Sequence, residues 1–199
     1  MMGSRHPSRA DVAGCRSSVG RRPRTTNFRM FGLFATTLSR AGGMQISSIL
    51  EEQFIAIDLP AEGKEEALNS LVDMLGASPK VRDLEKVRQA ILERERLMST
   101  GVGHGFAIPH GKTDALEDIL AAFAVTRQPI DFQALDNQPV QLIFMLVGRE
   151  THVGTHLKLL SRISRLMNNE EFRRQLLAAA NAQEVLRLFD QEEHRYFEG

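Results

Sequence analysis

The stretch Ser99-Thr100-Gly101-Val102-Gly103-His104-Gly105-Phe106-Ala107-Ile108-Pro109-His110-Gly111-Lys112 gathers the residue types that do chemistry. His110 stands out within it. Pro109 stiffens the backbone before it and Gly111 leaves it uncrowded, at the end of a strand-like Phe106-Ala107-Ile108, so the imidazole projects from a rigid base. Free imidazole titrates near pH 6.5, so at neutral pH much of it is uncharged and can act as base, metal ligand or covalent nucleophile. A structural or surface histidine fits the same position. Gly101, Gly103 and Gly105 allow backbone to approach a ligand or a neighbouring strand closely, or make no more than a tight connection.

Two other side chains could join His110. His156 stands where a helix through Leu157, Leu160, Ile163 and Met167 begins, and a helix start offers unpaired N–H groups and partial positive charge to an anion. It could equally be a histidine packed at a helix end. Arg94 lies late in the helix before the glycines, from where a guanidinium can fold back onto a phosphate. Against that, Glu93-Arg94-Glu95-Arg96 also reads as a solvated charged face.

Other chemistries fail on spacing. A dinucleotide fingerprint needs strand, glycines, then helix, whereas these glycines follow a helix and precede a strand; no G-x-x-x-x-G-K-[ST] loop occurs either. His152 and His156 have the spacing of a zinc-protease helix, but Val153 replaces the catalytic glutamate and Gly154 speaks against a helix there. No G-x-S-x-G elbow is present for a serine hydrolase. No metal and no cofactor is expected.

The elements that must position these residues follow from periodicity. Phe54, Ile55, Ile57 and Leu59 predict a short strand ended by Pro60. Ala67, Leu68, Leu71, Val72 and Leu75 predict a helix closed by Gly76, and a second helix fits Leu84 to Met98. The apolar runs Ile119 to Val125 and Val140 to Val147 read as buried strands around a turn-rich Thr126 to Pro139. Helical spacing returns in Leu157 to Met167, Phe172 to Ala180 and Val185 to Phe189, before a polar, frayed Glu192 to Gly199. The expected fold class is α/β: a single domain with a mixed β-sheet flanked by helices, preceded by a disordered N-terminal segment.

The chain has 199 residues and a formal net charge of zero, but the sum joins two unlike parts. Residues 1–43 hold eight arginines, no lysine and one acid, a net of +7, which leaves −7 for residues 44–199. A mildly acidic domain gives no reason to expect nucleic-acid binding, and no run of 18 or more apolar residues is available for membrane insertion. The one cysteine, Cys15, falls in the basic part, so residues 44–199 can form no disulfide, which fits the cytoplasm. Three readings of residues 1–43 stand open: an upstream start read in error, with Met44 as the true first residue, an organelle transit peptide, or a weak secretory signal.

The runs LERERLMSTGVGHGFAIPHGK, PIDFQALDNQPVQLIFMLV and THLKLLSRISRLM together resemble enzyme IIA of the bacterial phosphoenolpyruvate-dependent phosphotransferase system, of the fructose/mannitol and nitrogen-regulatory type. The resemblance covers about residues 44 to 193 and implies the mannitol-type IIA fold. It implies that His110 is phosphorylated, as the tele-phosphohistidine, that His156 is the second active-site histidine, and that Arg94 is the arginine preceding the loop. Ser99 and Thr100 match the family's Ser-Thr, and with Gly103 and Gly105 they are the expected phosphate-binding or loop residues. His104 departs from the small polar residue, such as Asn, usual there, which leaves a local pKa or metal effect open without disturbing the core motif. The implied donor is a phosphorylated HPr-type carrier, docked on a partly apolar patch to which Phe106 or the Thr151–Thr155 loop contributes. The implied acceptor is a separate enzyme IIB or a regulatory target. Expected functions are thus a regulatory phosphocarrier, a sugar-uptake IIA, or a binding module that no longer transfers phosphate.

Overall fold

The structure, a computed structural model, describes residues 44–197; the basic segment 1–43 and its three readings lie outside the described residues. Six strands form one sheet, β1 (Leu50–Leu59), β2 (Gly101–Gly103), β3 (Phe106–Ala107), β4 (His110–Lys112), β5 (Leu120–Ile130) and β6 (Val140–Gly148). The order is β1-β5-β6-β3-β2, with β4 also on β6. β5 and β6 are antiparallel, while β1 on β5 and both β3 and β4 on β6 are parallel. This is the mixed α/β sheet expected from the alternation of patterns.

The central strands are apolar along almost their whole length because helices cover both faces. On one side α1 (Lys64–Leu75) and α2 (Leu84–Leu97) bury Leu68, Leu71, Val87 and Ile91. On the other, α3 (Val153–Met167), α4 (Glu170–Ala178) and α5 (Ala182–Phe197) bury Leu159, Ile163 and a cluster in which Phe189 meets Phe123, Phe144 and Phe172 at ring-centroid distances of 5.5, 5.5 and 5.2 Å. Edge-on aromatic contacts of this kind add about 1 kcal/mol each beyond burial.

Several expectations are corrected. β1 starts at Leu50, not Phe54. β5 runs on through Pro129 to Ile130, with a register shift after Val125. Gly76 ends α1 at an ordinary right-handed φ of −60°; it is small because a Cβ would stand 2.8 Å from Leu84 Cδ2. Gly154 lies inside α3, one residue from its start, where the first turn tolerates it. α4 begins at Glu170 rather than Phe172. The end of the chain is not frayed up to Phe197: Glu193 is 1% exposed and its carboxylate accepts the N–H groups of Ile46 and Ser47 at 2.9 and 3.1 Å, with Arg162 at 3.2 Å. Polarity alone hid that interior role.

The glycine stretch is itself a hairpin. β2 and β3 pair antiparallel about His104-Gly105, both at positive φ (56° and 75°), the two-residue turn whose mirror-image twist matches the strands. Gly103, at φ 109°, brings its Cα against Asp136, whose carboxylate accepts the N–H of His104 at 2.8 Å.

Candidate active site

β3 and β4 form one line along β6, in the same register, broken at Pro109, which has no N–H to give. The Pro109 carbonyl still accepts from Leu146 N at 3.0 Å, so the break costs the strand little and His110 is held on the sheet. Gly111 also sets how closely α2 can approach the strand. A Cβ there would come within 3.1 Å of the Ala90 backbone, so Gly111 is the seat on which α2 rests, and α2 carries Arg94.

The half-buried His110 ring is gripped at both nitrogens. Nδ1 lies 2.8 Å from the Ile108 carbonyl, and Arg94 Nε–H donates to Nε2 at 3.2 Å. A carbonyl can only accept, so Nδ1 carries the proton and Nε2 carries the lone pair. Burial, aided by the positive charges of Arg94 and Lys112, holds His110 below the usual imidazole range; the bond to Ile108 and the charge of Glu95 pull the other way. Arg94 Nη1 also donates to Met98 O at 3.0 Å, folding the guanidinium over the end of α2. Arg94 is therefore not part of a solvated face.

His156 is in the first turn of α3, 2% exposed, its ring centroid 6.0 Å from that of His110. Neither ring nitrogen has a hydrogen-bond partner among the described residues. Burial, with His110 and Lys112 adding like charge, lowers its pKa to about 4. A histidine packed only for structure would ordinarily satisfy a ring nitrogen; this one faces His110 across a cleft of about 670 Å³ that Arg94, Lys112, Glu150 and Val153 also line. Gly148 makes room for it, since a Cβ there would be 2.8 Å from His156 Nδ1.

The structure brings Arg94, His110 and His156 together. Ser99 and Thr100 line a smaller hollow beside His110, but their hydroxyls are engaged: Ser99 Oγ donates to Phe132 O at 2.8 Å and Thr100 Oγ1 to Glu95 Oε2 at 2.5 Å. Gly103 and Gly105 sit in the hairpin against Asp136 and Pro139, away from the cleft lining. Phe106 is 3% exposed and offers nothing to a partner. The apolar surface lies elsewhere, in Leu97 (83% exposed), Met98, Val102, Leu135, Val153 and Leu157. Of these, Val153 falls in the expected Thr151–Thr155 stretch, which is helical rather than a loop; the others were missed, since single exposed apolar residues carry no periodic signal. Sequence reading also passed over Glu95, 7% exposed. Among the described residues no group of three His, Cys, Asp or Glu side chains is arranged to hold a metal ion, and no helix is long and apolar enough to cross a membrane.

Residues 48–192 of this sheet domain, with Arg94, His110 and the unpartnered His156 around one cleft, match the family described as phosphoenolpyruvate-dependent sugar phosphotransferase system, EIIA 2. The chain belongs to that family. Among its relatives, the fructose-specific EIIABC component of Bacillus subtilis is 36% identical over 148 residues, 74% of this chain but 23% of that longer protein. A nitrogen regulatory protein of Bradyrhizobium diazoefficiens is 37% identical over 142 residues, 71% of this chain and 92% of the relative. The crystal structure of nitrogen regulatory protein IIA-Ntr from Neisseria meningitidis superposes with a TM-score of 0.69 at 32% identity, covering 72% of this chain and 98% of that one.

Proposed function

We propose that residues 44–199 act as a phosphocarrier whose phosphorylated atom is His110 Nε2, and that residues 1–43 lie outside the functional unit. The observation that carries the reading is the Nδ1–H bond to the Ile108 carbonyl, because it leaves the lone pair on Nε2 and aims that atom at Arg94. The Nε2 lone pair attacks phosphorus of a donor phosphohistidine in line; the new N–P bond forms as the donor's N–P bond breaks, and that electron pair returns to the donor's imidazole. No proton has to leave His110. Retained Nδ1–H keeps the phosphorylated ring positively charged, which makes it a good leaving group toward the next acceptor. Arg94 turns its N–H groups from Nε2 to the phosphoryl oxygens, while His156 and the first turn of α3 offer further donors. Neither nucleotide nor metal takes part.

The donor on this reading is a phosphorylated HPr-type carrier in the cytoplasm, docked over the apolar rim of Leu97, Val153 and Leu157 that borders the cleft. The acceptor is a regulatory target, as the nitrogen-regulatory relatives suggest by name. A second reading is transfer to a separate enzyme IIB; the fructose-specific relative supports its sugar-uptake context by name, although that name joins A, B and C in one longer protein. Incubation with phosphoenolpyruvate, enzyme I and HPr, followed by mass measurement and phosphorus NMR, tests the site: one Nε2-linked phosphoryl group is expected. An unchanged mass, or full labelling of His110→Ala, overturns the assignment.

A further inference from the structure

Adjacent residues at the end of α2 address the two nitrogens of one imidazole. Arg94 reaches Nε2 directly. Glu95 points the other way, into the protein, where its carboxylate accepts Thr100 N–H at 3.1 and 3.2 Å and the Thr100 hydroxyl at 2.5 Å, with Lys64 Nζ at 3.1 Å. Lys64 is in turn fixed by Gln133 Oε1 at 2.8 Å. The Thr100 carbonyl accepts Ile108 N–H at 3.0 Å, and the Ile108 carbonyl accepts His110 Nδ1–H at 2.8 Å. An unbroken series of short contacts therefore runs from Lys64 through Glu95, Thr100 and Ile108 to the catalytic ring.

The composition of the series dictates which residue can stand at 95. Thr100 N–H, Thr100 O–H and the Lys64 ammonium are all donors, so the group between them must accept at every lone pair it presents. A carboxylate does so; a carboxamide would set its own N–H₂ against one of the three. A buried carboxylate is costly unless paired and hydrogen-bonded, and here that requirement locks the α2–β2 junction to the strand bearing His110.

We propose that Glu95 is a positioning residue for His110, acting through Thr100 and the Ile108 carbonyl to hold the imidazole as its Nδ1–H form with the lone pair on Nε2. The proposal rests on the phosphocarrier reading of His110 above. Glu95 does not touch the incoming phosphoryl group or the donor, so its loss should act on the maximal rate and leave donor docking alone.

The experiment compares wild type, Glu95→Gln, Thr100→Val and Thr100→Ser, each checked for native circular dichroism. Nitrogen-15 NMR reads the His110 tautomer in the unphosphorylated protein, and uptake from phosphorylated HPr is followed over a range of donor concentrations. Glu95→Gln should mix Nε2–H into the His110 population and lower the maximal rate about tenfold or more, as small misplacements of a reacting group do, with little change in half-saturating donor concentration. Thr100→Val should move both readouts the same way and Thr100→Ser should restore them; that pair decides the matter if Glu95→Gln fails to fold. An unchanged tautomer in a folded Glu95→Gln or Thr100→Val protein overturns the proposal, even if the rate falls. A wild type that accepts no phosphoryl group would sink the phosphocarrier reading instead, while the tautomer comparison would still test the hold of Glu95 on the ring.

Discussion

Arg94 Nε–H donates to His110 Nε2 at 3.2 Å, so the arginine occupies the lone pair to which the proposed function assigns the attack on phosphorus. On that proposal the guanidinium swings aside as the oxygens of the arriving group draw it. Arg94→Ala should raise the His110 pKa, because one of the positive charges holding it down is gone. It should also slow phosphoryl uptake by roughly 100-fold, the scale seen when one transition-state donor is removed. A proton-NMR titration and a rapid-quench assay check the two effects; unaltered kinetics would return Arg94 to a surface role.

His156 makes stability depend on pH in a definite direction. Its pKa is about 4 in the folded protein and near 6.5 in an unfolded chain, so between these values the unfolded state binds more protons. Its contribution is complete above pH 6.5 and is lost as pH falls toward 4, by about 3 kcal/mol in all. Depressed His110 acts in the same sense. Denaturant titrations of wild type and His156→Gln from pH 7 to pH 4 should therefore show a flatter profile for the variant. Parallel profiles would exclude the buried neutral histidine.

Gly148 and His156 should behave as one unit. A Cβ at 148 would be 2.8 Å from the imidazole, so Gly148→Ala in the wild type costs about 1–3 kcal/mol by overpacking and displaces His156 from the cleft. In a His156→Ala background the same substitution has empty space to enter. A double-mutant cycle on unfolding free energy should give a coupling of about 1 kcal/mol or more, and additive effects would contradict the close contact.

His104 bears a turn strain at the tip of the β2–β3 hairpin. It stands at φ 56° ahead of Gly105 at 75°, where asparagine is the favoured partner of glycine. His104→Asn should raise stability by about 0.5 kcal/mol and leave phosphoryl uptake as it was. Thermal melts and the uptake assay test this, and a loss of uptake would give the imidazole a role the hairpin geometry does not.

The elements with strong periodicity were legible from the residues: α2 within a residue of its bounds, β6 likewise, and the alternation that makes a sheet with helices on both faces. His110 and His156 were legible because each sits beside a local oddity, proline and glycine around His110 and a helix start at His156, whereas Arg94 showed only by its place late in the helix before the glycines, within a charged run that read more readily as a solvated face. What escaped depends on partners far away in the chain. Glu95 looks like any solvated glutamate until Lys64 and Thr100 surround it. Glu193 looks like a frayed end until Ile46 and Ser47 lie against it. Gly111 and Gly148 look like loop glycines until a helix backbone and an imidazole take the space of their missing Cβ.

Arg94 comes from a helix on one face of the sheet and His156 from a helix on the other, and both line the cleft that holds His110. Neither layer alone supplies all three side chains of the proposed site. A split of the chain after β5 would part the two half-sites onto separate fragments, each inert alone, and phosphoryl uptake would then report on their reassembly, a built-in complementation assay for the fold.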